Sequence, residues 1–502
     1  MYAQANYDEA IAKYQKTINL NPKFAIAYNN WGEALRGQNK PDEAIVKYRK
    51  AIELDPKLAL AFNNWGQALQ AQNKPGEAIA KYQNAIELDP KLAPAFSNWG
   101  QALAAQNKPD EAIVKYQQAI GLDPKLAVAF NNWGQALQAQ NKPDEAIVKY
   151  RQATELDPKL ALAYSNWGMA LQAQDKPDEA IAKCQEAIDV NPNLALAYAS
   201  WGVVLQAQNK GDEAIAKYRK ATDLDPKASD IYNFWGNVVF AQHDYPAAIA
   251  KYQKATDLNP KLAIAYSNWG NALRAQNKTD EAVAKYRKAT DLDPTLSDTF
   301  NTWGNVLQDQ NKPDDSIAKY QKATNLNPNF AMAYSNWGDA LRALNKYDDA
   351  IVKYQKATDL GLNSPYVYYN WGSLLQAQNR QEESIAKYRK AIGLNPKFAE
   401  AYNNWGYALA AQRKYGEAIA KYQKAANLDP ALAVAYLNWG EALHGEKRYD
   451  EAIVKYQKAT DLNPKLALAY TNWAKTLQDQ GKHDEAAMKF KRANELEHAQ
   501  SK

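Results

Sequence analysis

The chain has 502 residues, 46% of them apolar and 23% charged, and its 61 basic side chains outnumber its 56 acidic ones by five. This near balance, with no block of one sign, argues against nucleic acid as a partner, because nucleic-acid binders carry a basic patch or stripe. No run of about 18 apolar residues marks a membrane span, and the single cysteine, Cys184, excludes an internal disulfide and fits a reducing, cytoplasmic setting.

From the N-terminus, Met1 to Asp8 has no basic stretch followed by an apolar one, the mark of a secretory leader. Residues 1–24 read as half a repeat, a second helix whose Ala10, Ile11 and Tyr14 face lacks its cover. Residues 25–502 read as fourteen full repeats. Tryptophan sets this division: all 14 Trp, from Trp31 to Trp473, are spaced 34 residues apart, and a strict period of this length signals a solenoid. Gly follows Trp in 13 copies, with Ala474 in the last, and Tyr or Phe stands three before every Trp.

Each repeat is predicted to hold two helices. Asp55-Pro56 looks like an N-cap followed by a first-position proline, and the Asx-Pro pair recurs in 13 repeats. Beyond it Phe62, Trp65, Gly66 and Leu69 share one helical face, and Gly66 would let a neighbouring helix approach closely. A second helix is expected from Pro75, with Ala78, Ile79, Tyr82, Ala85 and Ile86 facing inward. Its equivalent in the preceding repeat has acids in the first turn (Asp42, Glu43) and bases later (Lys47, Arg49), which suits the helix dipole. The Trp series falls on the apolar face and reads as core, whereas the lysine sixteen residues after each Trp reads as a solvated row. Gly361-Leu362-Asn363-Ser364-Pro365 replaces the Asx-Pro start, so a helix is expected only after Ser364, with a hinge before it.

The period, the helix pair and the W-G…L…A…Y…A…P signature resemble the tetratricopeptide repeat family over essentially the whole chain. One departure is that Tyr or Phe (Tyr28, Phe62) stands where the family has Trp, and Trp has moved next to the glycine. The resemblance implies an all-α fold, an alpha-alpha superhelix of about 14.5 repeats whose first helices line a groove. It also implies other proteins or peptide segments as partners.

On the first helix, the positions five, two and one before Trp and two, five and six after it lie opposite the core. Directly before Trp stand Asn30, Asn64, Asn98, Asn132, Asn166, Asn268, Asn336, Asn370, Asn404, Asn438 and Asn472. Asn is a poor residue inside a helix, and its amide both donates and accepts. Two readings stand. In one the row forms a ladder that grips a peptide backbone, as in the resembling repeat arm of the O-linked N-acetylglucosaminyltransferases. In the other it braces repeat to repeat. Gln67, Gln70, Gln101, Gln135 and Gln138, with Leu60, Val128, Leu162 and Leu196, would line the same groove. No Lys or Arg stands five or one before any Trp, which argues against the carboxylate clamp of the family's co-chaperones. Ser200 and Phe234 interrupt the Asn row; with Met169, Val203 and Phe240 they suggest a pocket for a partner. Tyr366, Tyr369 and Tyr407 suggest a second patch.

The four His (His243, His444, His483, His498) show no metal-ligand spacing, and neither a phosphate loop nor a nucleophile elbow is present. No enzyme activity, cofactor or metal is therefore expected. Three function classes remain: a scaffold that gathers partners along its groove; the targeting arm of a larger enzyme, such as a glycosyltransferase, whose catalytic part lies outside this sequence; and a single-stranded RNA binder like the related pentatricopeptide arrays, which the missing basic stripe disfavours. Near-identical repeats could also self-associate end to end at the bare first helix.

Overall fold

The computed structural model describes residues 2–500, which form twenty-nine α-helices and no strand. Helix Tyr2–Leu20 is followed by pairs that repeat along the chain, such as Ala25–Gly37 with Pro41–Leu54 and Ala59–Ala71 with Pro75–Leu88. The chain divides into two compact units, Met1–Ala272 and Leu273–Lys502, and each is a stack of such hairpins. None of the helices described is long and apolar enough to cross a membrane.

Two turns set the hairpin geometry. The first helix ends in a Schellman motif: in the first full repeat the Lys40 N–H donates to the Leu35 carbonyl and the Asn39 N–H to the Arg36 carbonyl. This needs a left-handed residue eight after each Trp. Asn39 (φ 61°), Asn73, Asn107, Asn141 and their equivalents supply it, as asparagine tolerates that region better than other side chains. The second turn corrects the expected N-cap. The first helix starts at Ala59, not at Pro56, and Asp55 instead accepts the Lys57 N–H on Oδ1 at 3.0 Å, an Asx turn between helices. The same bond recurs at Asp89, Asp123 and Asp157. At the variant site the helix begins at Pro365, just after Ser364, as expected, and Gly361 takes φ 90° to end the preceding helix.

The second helix packs on the first through one repeated contact. The tyrosine seventeen after Trp is almost wholly buried, from Tyr48 to Tyr456. Its ring lies on the glycine beside Trp, so that a Cβ on Gly134 would come within 2.5 Å of Tyr150 Cε1. Gly66 thus accepts an aromatic side chain from its own hairpin (Tyr82). Around this contact Leu137, Ala146, Ala170 and Leu171 form a core on which Trp133 and Trp167 pack.

The tryptophans are mostly half-buried; Trp303 and Trp371 are buried. The lysine row expected to be solvated is instead half-buried against the indoles: Lys47 Nζ lies 3.6 Å from the centre of the Trp31 ring, Lys149 4.0 Å from Trp133 and Lys217 3.2 Å from Trp201. Each ammonium thus caps the outer face of an indole, a cation–π contact worth about 0.5–2 kcal/mol. Desolvation holds Lys47 and Lys149 below the usual lysine range, opposed by Glu43 and Glu145 one turn earlier.

Neighbouring repeats are also tied at the hairpin tips. The side-chain amide of Gln72 donates to Asp42 at 2.8 Å, that of Gln140 to Asp110 and that of Gln242 to Asp212, each 30 residues back.

The aromatic–glycine contact makes a sharp prediction. Gly134→Ala should destabilise the chain by about 1–3 kcal/mol through overpacking. Gly168 faces the smaller Cys184, whose Sγ would stand 3.0 Å from the new Cβ. There the helix-propensity gain of roughly 1 kcal/mol offsets most of the crowding, so Gly168→Ala should cost clearly less. Urea unfolding followed by circular dichroism compares the two, and equal losses would contradict the contact.

Candidate functional site: the face of the first helices

The eleven asparagines before Trp are all buried or half-buried, and most hydrogen-bond to the preceding repeat. Asn98 Nδ2 donates to Asn63 Oδ1 at 2.9 Å, Asn63 to Asn64 at 3.2 Å, Asn64 to Asn29 at 3.1 Å, and Asn29 to Asn30 at 3.1 Å. These four bonds form an amide relay across three repeats. Asn166 donates to Asn131, Asn268 to Asn233, Asn336 to Asn301 and Asn438 to Asn403. Asn404 donates to the Tyr369 hydroxyl and Asn370 to Asp339. Asn132 accepts from Asn131. Bracing between repeats is therefore built into this row.

The relay depends on the residue two before Trp, and its placement is a correction. Expected to line the groove, Asn29, Asn63, Asn131, Ser165 and Asn233 are instead buried between neighbouring first helices. Where that residue is Asn, it occupies the carbonyl of the next asparagine. Where it is Ser (Ser97, Ser165), no described side chain donates to Oδ1 of Asn98 or Asn166. These two half-buried amides keep a free carbonyl and a second N–H.

The groove amides are also partly engaged. The buried tyrosine hydroxyls need acceptors, and Tyr150 donates to Gln138 at 2.7 Å, Tyr218 to Gln206 at 3.0 Å and Tyr252 to Asn237 at 2.9 Å. Gln70 accepts from Tyr82 in the same way. In the second unit Asp339 takes this role for Tyr354 at 2.7 Å; burial raises its carboxyl above the usual range, opposed by that bond and by Arg342.

The aliphatic stripe five before Trp is open, with Leu60, Val128 and Leu196 roughly half exposed. Where Ser200 and Phe234 interrupt the asparagines, the face opens into a hollow of about 760 Å³ lined by Met169, Leu196, Ala199, Val203 and Phe234. Ser200 keeps the brace through Ser165, their oxygens 3.1 Å apart, so the apolar surface arises without breaking the stack. Phe240 does not join it: the ring packs beside Tyr245, centroids 5.4 Å apart. The expected tyrosine patch also divides. Tyr366 and Tyr369 meet over Phe398 at 5.2 and 5.0 Å, whereas Tyr407 lines a separate hollow with Tyr415 and Glu441. Among the described residues no group of His, Cys, Asp and Glu is placed to hold a metal ion.

A family profile described as TPR repeat matches residues 1–38, 32–73, 66–107, 100–141, 134–175, 236–273, 270–311, 304–341, 338–379, 372–413 and 440–481. A second, described as Tetratricopeptide repeat, matches residues 161–194 and 399–432. The chain belongs to the tetratricopeptide repeat family. It is similar to a chain in the crystal structure of the APC/C hetero-tetramer Cut9-Hcn1, with 15% identity over 90% of this chain and 96% of that one and a TM-score of 0.48. It is also similar to YrrB, described as a TPR protein with an unusual peptide-binding site, with 27% identity over 39% of this chain and 97% of that one and a TM-score of 0.29. No curated protein matches the sequence.

The relay predicts that Asn63→Ala, which removes a buried group bonded on both sides, costs about 1–3 kcal/mol and more than Asn98→Ala. Equal urea midpoints for the two would contradict it. Burial pushes the Cys184 thiol up to about 12, so a thiol reagent at mildly alkaline pH should label it only as the chain unfolds, because the thiolate is the reactive form. Rapid labelling of the native chain would place Cys184 outside the core.

Proposed function

We propose that this chain is a non-enzymatic scaffold that binds extended peptide segments of partner proteins along the face of its first helices. Family membership supports a role in protein–protein interaction. The observation that carries the finer reading is the apolar hollow around Phe234. An exposed aromatic beside Leu196, Val203 and Met169 offers an anchor pocket, and such pockets concentrate binding energy. The half-occupied amides of Asn98 and Asn166 lie on the same face of the same unit. They offer a peptide backbone one donor and one acceptor each, whatever its sequence. Asn30, Asn64, Asn132, Asn404 and Asn438 contribute mainly to the brace in this reading. Tyr366 and Tyr369 supply a second contact region in the other unit.

The test is capture from lysate by the wild-type chain beside two variants of matched melting temperature, Val203→Asp with Phe234→Ser, and Asn98→Ala with Asn166→Ala. Partners lost from the first variant and weakened in the second are the expected result. Retention of every partner by both would overturn the assignment of recognition to this face.

A further inference from the structure

The hollow beside Tyr407 has a different chemistry from the one beside Phe234. It measures about 300 Å³ and is walled by Tyr407, Tyr415 and Tyr422, with the Glu441 carboxylate and the small residues Ala410 and Gly445. We propose that it is a recognition pocket for a basic side chain, arginine above lysine, of an extended partner segment. This rests on the reading of the first-helix face as the partner-binding face.

The pocket exists because three positions depart from the repeat. Five after Trp, where Gln138, Gln206 and Gln376 accept a tyrosine hydroxyl, the Trp405 repeat has Ala410. Among the described residues no group accepts from the hydroxyl of Tyr422, although its ring is almost wholly buried. Two after the same Trp stands Tyr407, a position occupied by tyrosine in no other repeat, and it is 47% exposed. Gly445 closes the far side, with Tyr415 set so tightly that a Cβ there would come within 2.8 Å of its ring. A hollow thus opens with aromatic walls and one hydroxyl left without an acceptor.

Its charge selects the ligand. Glu441 has no ion-pair partner among the described residues, and Lys475, its counterpart one repeat on, makes none with it. The other titratable groups nearby are already paired. His444 Nδ1 is 2.9 Å from Thr476 Oγ1 and its Nε2 3.4 Å from Asp479, and Arg448 bridges Glu446 and Glu451 at 3.0 and 2.8 Å. A single free carboxylate among tyrosine faces attracts a cation and repels an acid. A guanidinium suits it best, because its flat face stacks on an aromatic ring while its edge forks onto a carboxylate.

The test is a ligand-observed NMR titration of the full chain with acetyl-Gly-Ser-Arg-Ser-Gly-amide and its lysine and citrulline counterparts. The arginine peptide should bind at least about fivefold more tightly than the uncharged citrulline peptide, and the difference should shrink at about 0.5 M salt. The lysine peptide should bind more weakly than the arginine peptide, and equal or tighter lysine binding would overturn the preference for a guanidinium. Glu441→Gln and Tyr407→Ala should each weaken arginine binding by at least about fivefold with little change in melting. Ala410→Gln, which refills the hollow and gives Tyr422 its acceptor, should abolish binding without loss of stability. Equal binding of arginine and citrulline peptides, or variants that bind like the wild type, would overturn the proposal. This readout is independent of lysate capture: the pocket can fail while capture at the Phe234 face succeeds, and it can bind arginine if that capture fails.

Discussion

The buried tyrosine seated on a glycine is the contact on which the remainder of each hairpin depends. It sets how closely the two helices approach, because nothing larger than hydrogen fits under the ring of Tyr150 or Tyr320. It also imposes a polar demand. A phenol hydroxyl driven that deep favours a nearby acceptor, and the nearest positions are two and five after Trp on the paired helix. The glutamines and asparagines there satisfy a core tyrosine from one side and remain available to the groove from the other. Core and groove face are therefore one hydrogen-bonded layer.

The opposite edge of the hairpin obeys a similar economy. The tryptophan on the first helix keeps an outer face beyond the apolar core, and a lysine from its own paired second helix covers it, as in Lys319 over Trp303 at 3.8 Å. The ring gains a cation and the lysine stem covers apolar surface. The charge row thus belongs to the packing, and the array keeps a polar exterior without leaving indoles bare.

Much of this was legible in the sequence, and what was not has physical causes. Period, helix pairing, the Pro75 start and the late start at Pro365 follow from spacing and proline chemistry, which are local. The Asx-Pro pair misled because N-cap and Asx turn use the same residues; only the chain path after Asp55 separates them. The left-handed Asn39 series was hidden because Asn at a helix end, without Gly, is an ambiguous stop. The burial of Asn63 and the placement of Lys149 over Trp133 depend on which helix lies alongside. A polar residue two before Trp looks solvated until the neighbouring repeat covers it. Of the candidate site, the grouping of Met169, Val203 and Phe234 was readable because all three break a repeated position. The separation of Tyr407 from Tyr366 and Tyr369 was not, since it depends on which neighbours each ring meets, Phe398 for the pair and Tyr415 and Glu441 for Tyr407.

The change at Ala410 points to a general feature of this array. Along the faces where helices pack, few positions are free to vary without cost. Changes at the brace must preserve a bond, as Ser200 does with Ser165. Changes at the tyrosine must preserve the ring or shrink beneath the glycine, as Cys184 does. The positions two and five after Trp are looser, because the hydroxyl they serve can be met from either one: Tyr252 uses Asn237, Tyr218 uses Gln206, and Tyr320 uses both Asn305 and Gln308. Such redundancy leaves one of the two positions free to change while the other holds the core. At Val203 the acceptor is kept at Gln206 and the spare position becomes apolar. At Tyr407 the spare position becomes aromatic and the acceptor is lost to Ala410, which leaves the Tyr422 hydroxyl facing a hollow. Both hollows thus draw on one local freedom, and their differing chemistry follows from the side chains that line them, Met169, Leu196 and Phe234 in one and Tyr407, Tyr415 and Glu441 in the other.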